Sequence, residues 1–562
     1  MKSIRFLFAI ALIALTATVF AQSDYIPLGS KEYALIDRLQ IKLRKDSVLN
    51  FSDIRPYSRK VVTERLEYIN KLADEGKISL SSVDKYNLEM SLKENFEYRN
   101  GFDSKDSTLR FKDVFTKTAM TNPAYIGAKR GEFSIYATGH IDYSKGNDNK
   151  TNYQLYNNIR AISIRGTLSK NFGYYSTLFE HQEADAAYVN QYIQKFSSVP
   201  GEGFYNTFKK DGFDLFNAKG GVMFKASKTT DIQFAYDKVF IGDGYRSLIL
   251  SDFSNNFLFL KVNTRIWKLN YHQIYAELVQ THKSGTNSLY PKKYMAFHQL
   301  DFQANKWLNI GAFESVMFGR SNGFSFSYAN PIIFYRAVER QEGSPDKVLL
   351  GLNIKANPFK KTQLYTQLIL NEFSFEQIKQ YSKGSAVNKQ ALQIGAKTID
   401  LFGIKNLDVQ AEMNVVRPFV YTHYDTVGSY THYNQPLAHP LGASFREFVG
   451  IIKYQPINKL QLQAKLIYYK QGLDSAGYNF GSNIFRFYTE GKPRGDGFFI
   501  GSGIPATCLL ASFTASYEIL PNLYVDANTI IRNYAMKGAA DFDSKIFSVG
   551  VRLNIARREF DF

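Results

Sequence analysis

Residues 546–555 read IFSVGVRLNI, and their alternation puts Phe547, Val549, Val551, Leu553 and Ile555 on one face of a strand and Ser548, Arg552 and Asn554 on the other. A strand that is apolar on one side and polar on the other meets lipid with the first and a polar lumen with the second, as the strands of bacterial outer-membrane β-barrels do. A few residues later the chain reaches an aromatic, Phe562. A closing strand that ends on an aromatic is the signal that the barrel-assembly machinery of that membrane is generally held to read. The predicted fold class is therefore an all-β transmembrane barrel in the cell outer membrane.

The same alternation recurs at 133–142 (FSIYATGHID), 460–469 (LQLQAKLIYY), 510–519 (LASFTASYEI) and 523–532 (LYVDANTIIR). Each is close to the ~9–11 residues a tilted strand needs to cross a bilayer. The breaks between strands alternate in length. Short ones rich in Lys, Asn, Pro and Gly fall near 169–173, 226–231, 267–269, 304–308, 357–362, 402–407, 455–460 and 520–523, and these predict periplasmic hairpin turns. Longer ones near 143–157, 183–213, 241–256, 281–293, 320–347, 374–389, 418–445, 470–506 and 533–544 predict outward loops. Nine hairpins joined by eight short turns make about 18 antiparallel strands, spread over a barrel domain from 126 to 562.

Two segments precede the barrel. Lys2 and Arg5 followed by the apolar stretch from Phe6, with Val19-Phe20-Ala21 at its end, predict a cleaved signal peptide over residues 1–21. Residues 22–125 carry helical spacing instead of alternation. Ser30 is placed to cap a helix bearing Tyr33, Ile36, Leu39 and Leu43, Ser58 one bearing Val62, Leu66, Ile69 and Leu72, and Ser82 one bearing Leu88, Leu92 and Phe96. This region is expected in the periplasm or in the barrel mouth, as a plug. Together with inward folding of the 183–213 and 418–445 loops it predicts an occluded lumen.

Composition narrows the partners. The chain has 69 Lys and Arg against 51 Asp and Glu, a net charge of +18, and removing Lys2 and Arg5 leaves +16. On an exported protein this favours lipopolysaccharide phosphates and acidic glycans as partners and excludes nucleic acid. Phe, Trp and Tyr make up 15% of the residues, the content that aromatic girdles require. Cys508 is alone, which leaves no disulfide framework and no thiolate metal site within one chain.

Chemistry-bearing residues are sparse. His423, His432 and His439 share one loop with Tyr424, Asp425 and Tyr433, but their spacings match no standard metal pattern, so no metal and no cofactor is expected. The same polar, aromatic loop suits sugar recognition. His140, His272 and His298 fall on predicted strands without a recognisable nucleophile motif, and the expectation is that the protein is not an enzyme. Gly242-Asp243-Gly244 is too short for a phosphate nest. Its glycines let the chain turn sharply out of the strand ending at Phe240, leaving Asp243, Tyr245 and Arg246 available at the extracellular rim. Asp243, Tyr245, Arg246, His423, Tyr424, His432 and Tyr433 are the candidate ligand-binding residues.

Residues 242–278 (GDGYRSLILSDFSNNFLFLKVNTRIWKLNYHQIYAEL) resemble the Wzi family of capsule-assembly outer-membrane proteins, the match being best at Ser247 to Ser251. Residues 323–351 (GFSFSYANPIIFYRAVERQEGSPDKVLLG), YIPLGSKEYALIDRLQIK at 25–42 and RPYSRK at 55–60 are similar to the Bacteroidota branch of that family, which includes the gliding-motility protein RemB. The resemblance implies an 18-stranded barrel with periplasmic helices that holds capsular polysaccharide at the cell surface. Capsule-binding members carry a tryptophan-rich step before the glycine turn, whereas this chain has Val239-Phe240-Ile241 there and only Trp267 and Trp307 anywhere, leaving Tyr245 as the ring that can stack on a sugar. Residues 33–66, with Asp37, Phe51 and the Arg55-Pro56-Tyr57-Ser58-Arg59 turn, also faintly resemble an S-layer-homology module, which implies a cell-wall polymer as a partner of residues 22–125. A porin-like or gated channel, and a scaffold for a motility or secretion machine, are the alternative functions.

Overall fold

A computed structural model describes residues 23–51, 53–100, 126–281, 289–320, 323–343, 346–372, 383–425, 427–492 and 496–562; the expected signal peptide lies outside them. Eighteen long strands form one closed antiparallel barrel. In chain order they are β1 (Phe133–Asp148), β2 (Leu155–Ser169), β3 (Phe172–Ala184), β4 (Gly212–Lys225), β5 (Thr230–Asp237), β6 (Phe257–Ile266), β7 (Leu269–Val279), β8 (Lys292–Asn305) and β9 (Leu308–Phe318). The second half comprises β10 (Lys347–Phe359), β11 (Thr362–Glu372), β12 (Lys389–Thr398), β13 (Leu407–Val416), β14 (Phe445–Ile457), β15 (Leu460–Leu473), β16 (Ile504–Leu520), β17 (Leu523–Met536) and β18 (Phe542–Leu553). Two short strands, Ile126–Arg130 and Asn206–Phe208, add to its ends. β18 closes on β1, with Ile546 opposite Asp148 and Leu553 opposite Ile141.

Every strand pairs with its sequence neighbours, through mostly tight turns at one end and mostly long loops at the other, the 149–154 and 537–541 connections being short and the 399–406 turn longer than its fellows. By the rule that short turns face the periplasm, the loops face outward. Several strands exceed the span the bilayer needs: β1 has 16 residues and β16 has 17, so the wall stands above the membrane on the loop side. Among the described residues no helix is long and apolar enough to cross a membrane. The strands do the crossing, and their outward residues, such as Ile162, Phe234, Ile394, Phe513 and Val549, are exposed and apolar. That lipid-facing band makes this an outer-membrane barrel.

The closing strand corrects one expectation. Phe547, Val549 and Val551 face outward as predicted, but the strand stops at Leu553 and Ile555 lies beyond it. Residues 554–562 turn into the lumen. Phe562 is buried there against Tyr188, Tyr192 and Phe253, with ring centroids 4.9–5.9 Å apart, and is not presented at the end of a strand.

The lumen is a second correction, since it is not simply polar. Inward residues Phe257, Phe259, Ile274, Phe297, Phe313 and Leu349 join loop residues Val239, Leu248, Leu250, Tyr421, Tyr430 and Leu437 in one dry core. Filling the barrel's upper half this way removes apolar area from water as any globular core does.

Three helices close the opposite end. α1 (Glu32–Leu43), α2 (Arg59–Asp74) and α3 (Ser82–Glu94) pack Ile36, Leu39, Leu66, Ile69 and Leu88 together. Ser58 caps α2 as expected, whereas Ser30 does not cap α1, whose N-cap is Lys31 without a side-chain bond. The cap of α3 is Ser81 and not Ser82: Ser81 Oγ accepts from Asp84 N–H while the Asp84 carboxylate accepts from Ser81 N–H, a reciprocal box that satisfies two orphan donors. The bundle sits in the mouth of the short-turn end. Arg38 bonds Asp400 and Asp408 of the barrel rim and Asp84 of α3, Arg165 of β2 bonds Glu97, and Asn87 donates to Gln455. Asp37, part of the S-layer-like pattern, is turned toward the wall and pairs with Lys397.

Candidate functional site

Chain geometry takes the Gly242 turn inward. β5 is only eight residues long, and beyond it Phe240 and Ile241 pair with Ile54 and Arg55 inside the lumen. This two-residue ladder joins the loop to the helical plug. Gly242 has φ +125° and its N–H donates to Asp53 O at 2.8 Å. A Cβ there would meet Gln367 Nε2 at 2.3 Å, and one on Gly244 would meet the Glu412 carboxylate at 2.6 Å, so glycine lets the backbone approach the wall at both positions.

The three residues expected at the rim are therefore placed inside. Asp243 is buried against Lys355 at 3.2 Å. Arg246 spans two carboxylates: Nε and Nη2 donate to Glu447 at 3.3 and 3.1 Å, and Nη1 donates to Asp561 at 2.9 Å. Its Nη2 also donates to the Asp561 carbonyl at 2.6 Å. The backbone N–H groups of Tyr245 and Arg246 donate to Glu412, the Tyr245 hydroxyl donates to Asp561, and Lys465 completes the cluster with Asp561 and Glu559. Burial pushes the two tail carboxyls, Glu559 and Asp561, up, but the opposing cations outweigh it. Arg246 and Lys465 hold Asp561 well below the ordinary carboxylate range, and Lys465 with Arg557 holds Glu559 down to about 2. The cluster is a lock: it fastens the inward loop and the 554–562 tail to the wall.

The tail makes further wall contacts. Arg558 pairs with Glu183 at 2.7 Å, Arg557 donates to Thr514, and His140 bonds Asn554 O and Ser163 Oγ, each at 2.7 Å. Between tail and wall lies a cavity of about 160 Å³ lined by Asp142, Glu183, Asp185, Lys465, Asp526 and Arg557. Neither the tail's course nor this cavity was foreseen, because the alternation that identifies strands carries no signal for an irregular segment.

The histidine-bearing loop also folds inward, and its three imidazoles have separate partners. His423 Nδ1 lies 3.0 Å from Asp425, His439 Nε2 lies 2.7 Å from Glu447, and His432 Nδ1 accepts from Val279 N–H at 2.9 Å while Nε2 donates to Asn256 O at 3.0 Å. Burial pushes His432 down to about 3 and keeps it neutral. Among the described residues no group of three His, Cys, Asp or Glu is arranged to hold a metal ion.

Two members of the loop stay near the surface. Tyr433 packs its ring against Phe204 and Tyr290, centroids 5.1 and 6.2 Å away. Tyr424 is 42% exposed and borders a cleft of about 100 Å³ with Phe318, Arg320, Asp346, Asp425 and Gly428. Arg320 donates two bonds to Asp346, at 2.7 and 2.5 Å, and the Tyr328 hydroxyl donates a third at 2.6 Å. The cleft thus offers an exposed ring face beside a fixed, charge-paired wall, a combination suited to a polyhydroxylated ligand. Of the seven predicted site residues, Tyr424 and Tyr433 stay near the surface, His423 and His432 are buried within the inward-folded loop, and Asp243, Tyr245 and Arg246 belong to the internal lock. The sequence reading missed Arg320 and Asp346, which flank the β9–β10 loop and meet Tyr424 only in three dimensions.

No family model and no curated protein matches the chain. Among solved structures it is similar to Wzi from Escherichia coli, described as an outer membrane protein involved in group 1 capsule assembly and a carbohydrate-binding β-barrel. That likeness has 13% identity and a TM-score of 0.54, covering 96% of this chain and 100% of the other. OprD from Pseudomonas aeruginosa aligns at 10% identity and a TM-score of 0.41, over 75% of this chain and 96% of the other. The first likeness shows a shared fold, the one that the resemblance of residues 242–278 implied.

Proposed function

We propose that this protein is a non-enzymatic outer-membrane barrel that binds or organises surface polysaccharide at its long-loop face. The observation that carries the reading is the filled interior. The helical bundle, the inward loops and the tail occupy the barrel from end to end, which leaves the outer loop layer to meet other molecules. There the Tyr424–Arg320–Asp346 cleft and the Phe204–Tyr290–Tyr433 cluster supply ring faces and polar groups of the kind sugars engage, and a protein of the same fold is described as carbohydrate-binding. Net positive charge favours an acidic polysaccharide. A Bacteroidota cell, with capsule retention or gliding as the process served, is the finer form of the same proposal.

The test is polysaccharide retention on whole cells together with glycan-array binding of the purified barrel. Tyr424→Ala and Arg320→Ala are expected to assemble normally and to retain several-fold less polysaccharide than the parent. If both variants retain it like the parent, while a deletion strain stops spreading on agar with its polysaccharide intact, the protein is a motility scaffold and the binding proposal fails.

A further inference from the structure

The connection between β9 and β10 does not stay at the rim. Its described part, Gly323–Gly343, contains a 3₁₀ turn (Phe326–Ala329) and the short helix α4 (Tyr335–Gln341), and it lies on the outside of the barrel. Register establishes which side. On β8 the outward residues include Leu300 and Phe302, and on β10 Leu350 and Leu352, all exposed. His298 is two residues from Leu300, Glu314 is paired with both His298 and Leu350, and Gln273 is paired with His298. Side chains two apart share a face. The wall therefore carries a polar seam, Tyr271, Gln273, His298 and Glu314, on its lipid-facing side.

The segment covers that seam. Tyr271 and Gln273 donate to Pro331 O, and Tyr275 donates to Ala329 O at 3.1 Å. The N–H groups of Tyr335 and Arg336 donate to Glu314 at 2.7 and 2.8 Å, and the Tyr335 ring stacks on His298 at 4.3 Å. Its Tyr328 and Val338 join wall residues Ala296, Val316, Phe318 and Val348 in a separate buried cluster. Its other side is apolar and uncovered: Phe326 is 84% exposed, Ile332 85% and Phe334 75%. Tyr271, which holds Pro331, is paired with Leu300, so Pro331 and Ile332 lie at the depth of the lipid-facing band and continue it.

We propose that residues Phe326 to Phe334 form a strap immersed in the hydrocarbon of the bilayer, with Phe326, Ile332 and Phe334 against lipid acyl chains. The inner side of the strap accepts from Tyr271, Gln273 and Tyr275, and the N–H groups that follow it satisfy Glu314, polar groups that lipid cannot serve, while its outer side restores the apolar surface the seam interrupts. Continuity with the band selects acyl chains as the occupant over water or a second copy of the chain.

The experiment uses the full-length protein in nanodiscs of phosphatidylcholine with brominated acyl chains. In a Trp267→Phe, Trp307→Phe background, Ile332→Trp reports on the strap, Val549→Trp on the lipid-facing wall, and Phe487→Trp on an outer loop. Bromine quenching of Ile332→Trp is expected to fall within about two-fold of Val549→Trp and well above Phe487→Trp. Quenching no stronger than that of Phe487→Trp overturns the proposal, whether accompanied by a monomer mass, which would place the strap in water, or a dimer mass, which would give it to a second copy. If Ile332→Trp does not assemble, Phe334→Trp is read by the same criteria.

Discussion

At Arg246 one guanidinium holds together three parts of the chain that are far apart in sequence: its own loop, Glu447 of β14 and Asp561 of the tail. Removing one partner from a buried charge cluster strands the others, at a cost of about 3–5 kcal/mol. Arg246→Ala is therefore expected to release the tail while the barrel stays closed, read as faster hydrogen exchange across 554–562 with strand protection unchanged. Arg246→Lys should recover only part of the protection, since an ammonium cannot fork between two carboxylates and a carbonyl; equal protection in all three proteins would contradict the lock. His432 gives the pH counterpart. Its Nδ1 accepts a backbone N–H, so a proton there both charges a buried ring and breaks a bond. With a folded pKa of about 3 and an unfolded value of about 6.5, the imidazole's contribution to docking of its loop is complete above pH ~6.5. It is lost as pH falls toward 3, at up to about 1.4 kcal/mol per pH unit. Protease nicking within 418–445 should appear on acidification, and His432→Gln, which keeps an acceptor and a donor, should blunt that sensitivity. Nicking that does not depend on pH would count against it.

At the scale of elements, what was legible depended on whether the two faces of a strand differ. β1, β15, β16, β17 and β18 have lipid on one side and polar groups such as His140, Lys465, Thr514, Asp526 and Ser548 on the other, and alternation located all five. β7 to β9 read weakly because their inward residues, among them Ile274, Phe297 and Phe313, pack into the internal core, so both faces are apolar and the period of two fades. The polar seam under the strap blurred the same strands from the other side. α2 and α3 were legible from their serine caps to within one residue and α1 from its apolar spacing alone, while the tail, with no period at all, was not. Val549 tests the lipid-facing assignment of β18. Arg in its place puts a cation against hydrocarbon at a cost of about 2–4 kcal/mol, and refolding into vesicles should drop accordingly. Parent-like refolding of Val549→Arg would place that face in water.

Across the whole molecule, the barrel is a container filled by its own chain. The α1–α3 bundle closes the short-turn end through Arg38 and its partners, the Ile54–Arg55 ladder hands over to the Gly242 loop, and the 417–444 loop completes the core above. Turn and loop lengths made the strand number legible from the sequence. The position of the candidate site was not, because long-range pairing decided it: Asp53 O and the wall carboxylates drew Asp243, Tyr245 and Arg246 inside, and Asp346 fixed Arg320 beside Tyr424. The central claim is that this filled barrel works at its surface and does not conduct. The most direct measurement is single-channel conductance of the full-length protein in planar bilayers. The account predicts a silent membrane from the intact protein; large, steady, porin-like openings would contradict it.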